Sequence, residues 1–112
     1  MEARAIARYI RIAPRKMVLV ADLVRGKKVN EALNILHYTP KRSSLVIEKT
    51  VRSALANLMN NENAKNINVD DAVIKEIRVN EGTTWKRWSP RAMGRATRIR
   101  KRTSYLHVTL SV

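Results

Sequence analysis

Cysteine and phenylalanine are both absent from this sequence of 112 residues. Without cysteine the chain cannot form a disulfide, a thiolate nucleophile or a cysteine-ligated zinc site. His37 and His107 are far apart in sequence, and neither has a nucleophile or a second metal ligand beside it. No glycine-rich cofactor loop is present either. We therefore expect no catalytic residue, no metal and no cofactor, and we expect both histidines to be structural or surface residues.

Long hydrophobic runs are absent as well. The longest run near the start, Met17 to Ala21, is shorter than a signal-peptide core and far below the ~20 apolar residues that a membrane span needs. The arginine-rich start could imitate an organellar transit peptide, but Glu2 and Asp22 argue against that reading. We expect no membrane association and a cytoplasmic location.

Acidic residues are missing from Gly82 to Val112. The first 81 residues hold 15 basic and 9 acidic residues, a net charge of +6, and the rest holds 8 basic residues, which together give the net +14 of the chain. A charge of this size attracts polyanions over a long range. The chain is also 45% hydrophobic, which is enough for a folded core. We predict one small domain over residues 1–112 that binds nucleic acid.

Hydrophobic spacing in the first half predicts one strand followed by three helices. Pro14 is typical of a first helical turn, and Gly26 is typical of a helix end. Asn30 and Thr39 are predicted to cap the second and third helices. The predicted elements are a strand over Ala3–Ile12 and helices over Pro14–Arg25, Asn30–Tyr38 and Pro40–Asn60.

Two segments in the second half alternate with the period of a strand. In Val69–Asn80, we predict Val73, Ile77 and Val79 on one face and Ile74 on the other, and Asp70 and Asp71 on opposite faces, where they cannot jointly hold an ion. Leu106 to Val112 alternates more cleanly. The resulting order, β-α-α-α-β-β, predicts an α+β fold in which a small three-stranded antiparallel sheet packs on three helices.

The segment of residues 82–101 is too long for an ordinary loop, which usually has about 4 to 6 residues. We predict an extended basic hairpin that protrudes ~30 Å, with its turn between Pro90 and Gly94. Arginine suits phosphate and base contacts, and Trp85 and Trp88 offer flat surfaces on which unpaired bases can stack. Seven like charges in this segment, with Arg102 directly after it as an eighth, make an isolated ribbon marginal. The alternative is a solvated disordered tail.

Both predicted helix starts at Pro14 and Pro40 carry cations, at Arg15 and Lys16 and at Lys41 and Arg42. Free amide groups and the helix dipole favour a bound phosphate at such a position. Ala13 has no side-chain oxygen with which to cap its helix. Either an anion or water can satisfy those amides.

Several motifs together resemble the family of bacterial large-ribosomal-subunit protein twenty-two, over nearly the whole chain. The hairpin segment Lys86–Ala96, followed by Lys101–Ser104, is the most specific of them. The other motifs are Arg11–Lys16, Asp22–Lys27, Ala32–Leu36, Ser53–Asn57 and Val79–Gly82.

This resemblance implies a non-enzymatic structural constituent of the large subunit that binds 23S-type ribosomal RNA and aids subunit assembly. Its globular body would lie near the polypeptide exit, and its hairpin would line the nascent-peptide tunnel. The implied partners are large-subunit RNA, neighbouring ribosomal proteins including ribosomal protein four at the tunnel narrowing, and the nascent polypeptide. No homo-oligomer is expected. Changes at the hairpin tip alter macrolide sensitivity in the family.

The residues to which the resemblance and the charge pattern point form three sets. The RNA-binding candidates are Arg11, Arg15, Lys16, Arg25, Lys27, Lys41, Arg42, Lys86, Arg87, Arg91, Arg95, Arg98, Arg100, Lys101 and Arg102. The base-stacking candidates are Trp85 and Trp88, and the tunnel tip comprises Ser89, Pro90, Arg91, Ala92, Met93, Gly94 and Arg95.

The chain departs from the family pattern at Thr83, where proline is common, at Trp85 and Trp88, where aliphatic residues are common, and at Met93, which replaces a polar or basic tip residue. Two other classes remain as alternatives. A non-ribosomal basic DNA- or RNA-binding protein has the same charge, although a long irregular arm suits folded RNA better than one DNA groove. A small RNA-modifying enzyme lacks support because no nucleophile or cofactor motif is present.

Overall fold

The structure is a computed structural model. It describes the backbone of residues 2–60, 69–90, 94 and 96–112, and the side chains of these residues except 69, 85–90 and 96–100.

Within the described residues, three α-helices and five strands follow one another in the predicted order, with the hairpin inserted before the last strand. The elements are β1 (Glu2–Ile10), α1 (Pro14–Val24), α2 (Val29–Tyr38), α3 (Arg42–Met59), β2 (Val73–Glu81), β3 (Trp85–Pro90), β4 (Ala96–Lys101) and β5 (Ser104–Ser111).

Strands β1, β5 and β2 form an antiparallel sheet in that order, so the last strand of the chain lies in its centre. Leu106, Val108 and Leu110 alternate along β5 and are fully buried. Apolar residues at helical spacing on α1 and α3 complete the core, among them Met17 and Ile47, which are also fully buried. Burial of one face of the sheet against helices is the α+β arrangement that the sequence predicted.

The alternation along β2 differs from the prediction because the strand contains a bulge. Its pairing with β5 shifts between Ile74 and Glu76, so Lys75 is an extra residue in the ladder. Ile74 and Ile77 therefore both face the core and are fully buried, while Val73 and Val79 are only partly buried. The prediction that Ile74 lies opposite Ile77 was wrong.

Helix α1 begins at Pro14, as predicted, and Gly26 just beyond its end has a φ of +77°. The predicted cap at Asn30 was wrong, because α2 begins at Val29 and follows Lys28. The Asn30 side chain instead donates to Asp70 at 3.3 Å. Pairing at the start of β2 sets this boundary: Lys28 forms an antiparallel bridge with Val73, and the Val29 amide donates to the carbonyl of the preceding Ala72 at 3.0 Å.

The predicted start of the third helix was also wrong. Helix α3 begins at Arg42, and Pro40 lies in the connection before it. The Thr39 hydroxyl donates back to the Ile35 carbonyl at 2.6 Å, so Thr39 closes α2 and does not cap α3. Asn60 ends α3 as predicted.

Three predicted strands extended beyond the observed ones, and the first of them ends at Ile10 instead of Ile12. Val69–Asp71 forms a short 3-10 turn before β2, so the prediction that placed Asp70 and Asp71 on a strand was wrong. At the other end, β5 stops at Ser111, and Val112 is 40% exposed.

The predicted hairpin is present as strands β3 and β4, which pair from Trp85 with Lys101 to Pro90 with Ala96. The chain therefore reverses between Pro90 and Ala96, where Gly94 has a φ of +71°. A left-handed conformation of this kind is one that glycine adopts without strain. The tip residues Arg91, Ala92, Met93 and Arg95 lie outside the described residues.

Candidate nucleic-acid interface

The starts of α1 and α3 lie side by side and form a single cleft of about 440 Å³. The sequence indicated two separate cationic helix starts, and the fold brings them together. We call this site the two-helix cleft; it is lined by Arg11, Ile12, Ala13, Lys16, Leu19, Val20, Lys41, Arg42 and Ser43.

Neither helix start at the two-helix cleft is capped by a side chain. Ala13 precedes α1 in an extended conformation, with φ −62° and ψ 140°, and Lys41 precedes α3 with φ −126° and ψ 142°. Neither makes a side-chain capping hydrogen bond. The positive ends of two helix dipoles are therefore directed towards the same space, where they favour an anion.

Four cations surround these helix ends. Arg11, Lys16, Lys41 and Arg42 line the two-helix cleft and are exposed, and its lining contains no acidic residue among the residues that the structure describes. Their charges add to the helix dipoles, and arginine and lysine are the usual donors to phosphate oxygens. Arg15, a further candidate, is exposed in the first turn of α1 beside the cleft. The arrangement is suited to a phosphodiester backbone.

Two serines at the start of α3 were not among the predicted site residues. Ser43 lines the two-helix cleft and is 5% exposed, and Ser44 beside it is 2% exposed. Within the described structure, the Ser44 hydroxyl has no hydrogen-bond partner. Serine at a helix start usually indicates capping, so the sequence carried no signal that distinguished these hydroxyls.

Arg25 and Lys27 lie at the other end of α1, away from the two-helix cleft. The helix has 11 residues, which corresponds to a length of about 16 Å. Arg25 forms an exposed ion pair with Asp22 at 3.1 Å, and Lys27 lies 3.9 Å from Glu31. The structure therefore does not join these two candidates to the main cationic site.

The arm, which we define as residues 82–103, is closed at its root by Gly82 and Thr103. The Gly82 amide donates to the Thr103 carbonyl at 2.9 Å, and the Thr103 hydroxyl donates to the Thr83 carbonyl at 2.6 Å. Thr103 is 4% exposed. Lys101 and Arg102 are exposed immediately beside this closure.

The remaining candidates lie along the two strands of the arm. Strand β3 carries Trp85, Lys86, Arg87, Trp88, Ser89 and Pro90, and β4 carries Arg98, Arg100 and Lys101. The backbone register pairs Lys86 with Arg100 and Trp88 with Arg98. Cationic positions opposite each other disfavour a two-stranded ribbon unless an anion lies nearby.

A pair of tyrosines flanks the arm root. Tyr9 has a φ of +54° at a register shift in β1, and its ring packs edge-on against Tyr105 with centroids 5.5 Å apart. The pKa of Tyr105 is raised, mainly by its hydrogen bond to Tyr9. Non-glycine residues with this φ are uncommon and often occur at functional sites.

The part of the chain that the structure describes contains neither a metal-binding cluster nor a membrane-spanning helix. No three acidic or histidine side chains there are grouped so that they could hold a metal ion. None of the described helices has the length and apolar content for crossing a membrane.

Comparisons of this chain with a family model and with named proteins agree with each other. Residues 5–111 match the family model described as ribosomal protein L22p/L17e. A protein of Pelotomaculum thermopropionicum named large ribosomal subunit protein uL22 is 57% identical, covering 99% of this chain and 96% of its own length. Proteins with the same name from Syntrophobacter fumaroxidans and Maridesulfovibrio salexigens are 51% and 53% identical, covering 99% and 98% of this chain and 98% and 97% of their own lengths.

Proposed function

The chain belongs to the ribosomal protein L22p/L17e family, and from that membership we propose that it is a structural constituent of the large ribosomal subunit that binds large-subunit ribosomal RNA. Members of this family are structural proteins and not enzymes. The protein thus acts through binding, and its partners are RNA and neighbouring ribosomal proteins.

The observation that carries the RNA-binding proposal is the two-helix cleft. Four exposed cations and two uncapped helix starts meet in one space without an acidic neighbour among the described residues. Phosphate contacts of this kind anchor a protein on RNA without reading the base sequence. The cleft thereby holds the globular body on the folded RNA.

The arm is the second contact in this proposal. Its eight basic residues would neutralise ~8 phosphates, which predicts that log affinity falls with log salt at a slope of about −7. Trp85 and Trp88 would stack on unpaired bases. The strong mutual repulsion of the charges implies that RNA orders the arm.

In the subunit, the body lies near the polypeptide exit and the hairpin lines the nascent-peptide tunnel. Residues 89–95 form its tip near the narrowing that ribosomal protein four also forms, where they face the nascent polypeptide and influence macrolide sensitivity. The protein assists early subunit assembly in the cytoplasm. These assignments follow from the family resemblance of the Lys86–Ala96 segment.

Cosedimentation tests the proposal. A tagged chain at physiological salt should travel with the large subunit. Removal of two cleft cations by Lys41→Gln and Arg42→Gln should reduce its incorporation. In RNA-binding measurements, the same variant should reduce the magnitude of the slope of log affinity against log salt by about 2. The matched control removes two exposed cations further along the same helix, Lys49→Gln and Arg52→Gln. If the chain sediments with DNA and stays out of the subunit, the ribosomal assignment is wrong.

A further inference from the structure

Among the described residues, the helices leave one face of the three-stranded sheet uncovered. Within the described chain, α1 and α3 pack on the face that carries Leu106, Val108 and Leu110. The opposite face holds a shallow pocket of about 230 Å³. We call this surface the sheet platform; its pocket is lined by Arg4, Ala5, Ile6, Glu76, Arg78, His107 and Thr109.

Flat side chains follow the central strand of the sheet platform. Along β5, Tyr105, His107 and Thr109 alternate with the buried leucines and valine, and each is half-buried. Residues two apart on a strand share a face at a separation of about 6.6 Å. An imidazole and a phenol ring therefore stand next to each other on the open surface. Open sheets with rings in this arrangement are suited to stacking unpaired bases.

A strained residue adds a third ring beside them. The register shift in β1 places Tyr9 in the left-handed region, where its ring meets Tyr105 edge-on. Holding a tyrosine in this conformation has an energetic cost, which the surrounding structure must offset. The core gains nothing from it, because Tyr9 is 68% exposed.

The outer strands supply cations on both sides of these rings. His107 pairs with Ile6 on one side and Arg78 on the other, and Thr109 pairs with Arg4 and Glu76. Glu76 weakens the positive field, but it lies 3.7 Å from Arg78 and both side chains are more than half exposed. Solvent therefore screens that ion pair, and both guanidinium groups remain accessible to phosphate oxygens.

The composition of the sheet platform favours RNA over a protein partner. Ile6, 42% exposed, is the only large aliphatic side chain in the lining of the pocket, within the part of the chain that the structure describes. Cores of protein interfaces are more apolar than this and depleted of charge. Rings between two arginines match a single strand, whose bases stack while its phosphates contact cations.

We propose that the sheet platform binds an unpaired segment of RNA, with His107 and Tyr105 stacking on bases and Arg4 and Arg78 contacting phosphates. This inference rests on the proposed RNA-binding function and adds a surface separate from both the two-helix cleft and the arm. The protein then holds RNA on the outer side of its sheet as well as at the helix starts.

Binding of the full chain to oligouridine RNA, with an RNA duplex of the same length for comparison, tests the proposal. Addition of oligouridine should shift the NMR signals of His107 and Thr109.

His107→Ala should weaken binding of the single strand about tenfold, and His107→Phe, which keeps a ring, should restore it. Arg78→Gln should reduce the magnitude of the slope of log affinity against log salt by about 1. Glu76→Gln should strengthen binding.

The charge-matched control is Lys49→Gln on the exposed side of α3. If Lys49→Gln reduces the magnitude of the salt slope as much as Arg78→Gln, or if duplex RNA shifts the NMR signals of His107 equally, the platform is not a single-strand site.

Loss of binding in the Lys41→Gln and Arg42→Gln variant together with full binding by His107→Ala would overturn this inference and leave the proposed function intact. Failure of the wild-type chain to bind any RNA would overturn the proposed function itself. A subunit protein cross-linked to His107 in place of RNA would assign the surface to a protein and contradict the inference.

Discussion

The Ser104 hydroxyl donates a hydrogen bond to the carbonyl oxygen of Ile12, across 92 positions of sequence. Ser104 is the first residue of β5 and is fully buried, and Ile12 lines the two-helix cleft. This bond connects the end of the arm to the wall of the cationic cleft. The arm and the two-helix cleft, two of the proposed RNA contacts, are thus linked by a hydrogen bond inside the body.

Removal of that bond should destabilise the body. Ser104→Ala leaves the buried Ile12 carbonyl without its partner, which we expect to lower the free energy of unfolding by about 1–3 kcal/mol. Urea unfolding of the free protein measures the change. Ser53→Ala, at an exposed position of α3, should change it by less than about 0.5 kcal/mol. An equal effect of both substitutions would contradict the role of the bond.

Gly82 leaves no room for a side chain at the arm root. A Cβ atom at this position would lie 2.6 Å from the Thr103 hydroxyl oxygen. We expect Gly82→Ala to separate the two strands at the root. Amide exchange at residues 82 and 103–105 should then be faster in the Gly82→Ala protein than in the wild type.

The matched variant removes the clashing atom. In Gly82→Ala with Thr103→Ala, the nearest remaining atoms of residue 103 lie at 3.4 Å, which is an ordinary contact. The double variant should therefore recover part of the protection that Gly82→Ala loses. If the two substitutions are additive, the clash is not the cause.

The body should fold without the arm. The buried core is formed by the helices and by β1, β2 and β5, and contains none of the described residues of the arm. Deletion of Thr84 to Arg95 should therefore leave a cooperative thermal transition, as measured by circular dichroism, while the affinity for RNA falls. A broad, non-cooperative transition of the deletion variant would show that the body needs the arm.

The arm itself should be ordered by RNA. Amide exchange between Lys86 and Arg100 should be fast in the free protein, because these two cationic positions are paired in the register and the core formed by the described residues contains no residue of the arm. The same amides should become protected when large-subunit RNA is added. Strong protection in the free protein is the outcome that this prediction forbids.

A pH titration should detect the ion pair between Glu2 of β1 and Lys75 in the β2 bulge. The hydrogen bond and charge of Lys75 lower the pKa of the Glu2 carboxyl. Because the pKa is lower in the folded state, the pair stabilises the fold above the ordinary carboxyl pKa and loses its effect as pH falls through the lowered value. Carboxyl chemical shifts should show this lowering, and Lys75→Ala should abolish it. Since both groups are exposed, we expect little change in stability.

Sequence periodicity predicted the element order well, because burial of one face imposes a spacing that neighbours in sequence already reveal. The clean alternation of Leu106, Val108 and Leu110 is the best example. Prediction from periodicity failed where a long-range contact overrides the local signal. The Lys75 bulge moves Ile74 to the core face, and pairing between Val29 and Ala72 moves the start of α2 ahead of Asn30.

The candidate site was predictable in its residues and not in its assembly. Lys16, Lys41 and Arg42 were identified from charge beside helix starts and Arg11 from the Arg11–Lys16 motif, yet nothing local indicated that the two helix starts share one cleft. Arg25, from the Asp22–Lys27 motif, lies at the opposite end of α1, paired with Asp22. The packing angle and order of the helices decide which cations meet.

The amino-acid sequence by itself determined that this protein has a folded α+β body and a basic, acid-free arm, because charge and hydrophobic period are properties of local sequence. Only the tertiary structure decided which charges act together and which surfaces stay open. Placement of β5 in the centre of the sheet exposes Tyr105 and His107 on one face, and packing of α1 beside α3 creates the two-helix cleft. Those juxtapositions depend on contacts between residues distant in the chain, which no local pattern encodes.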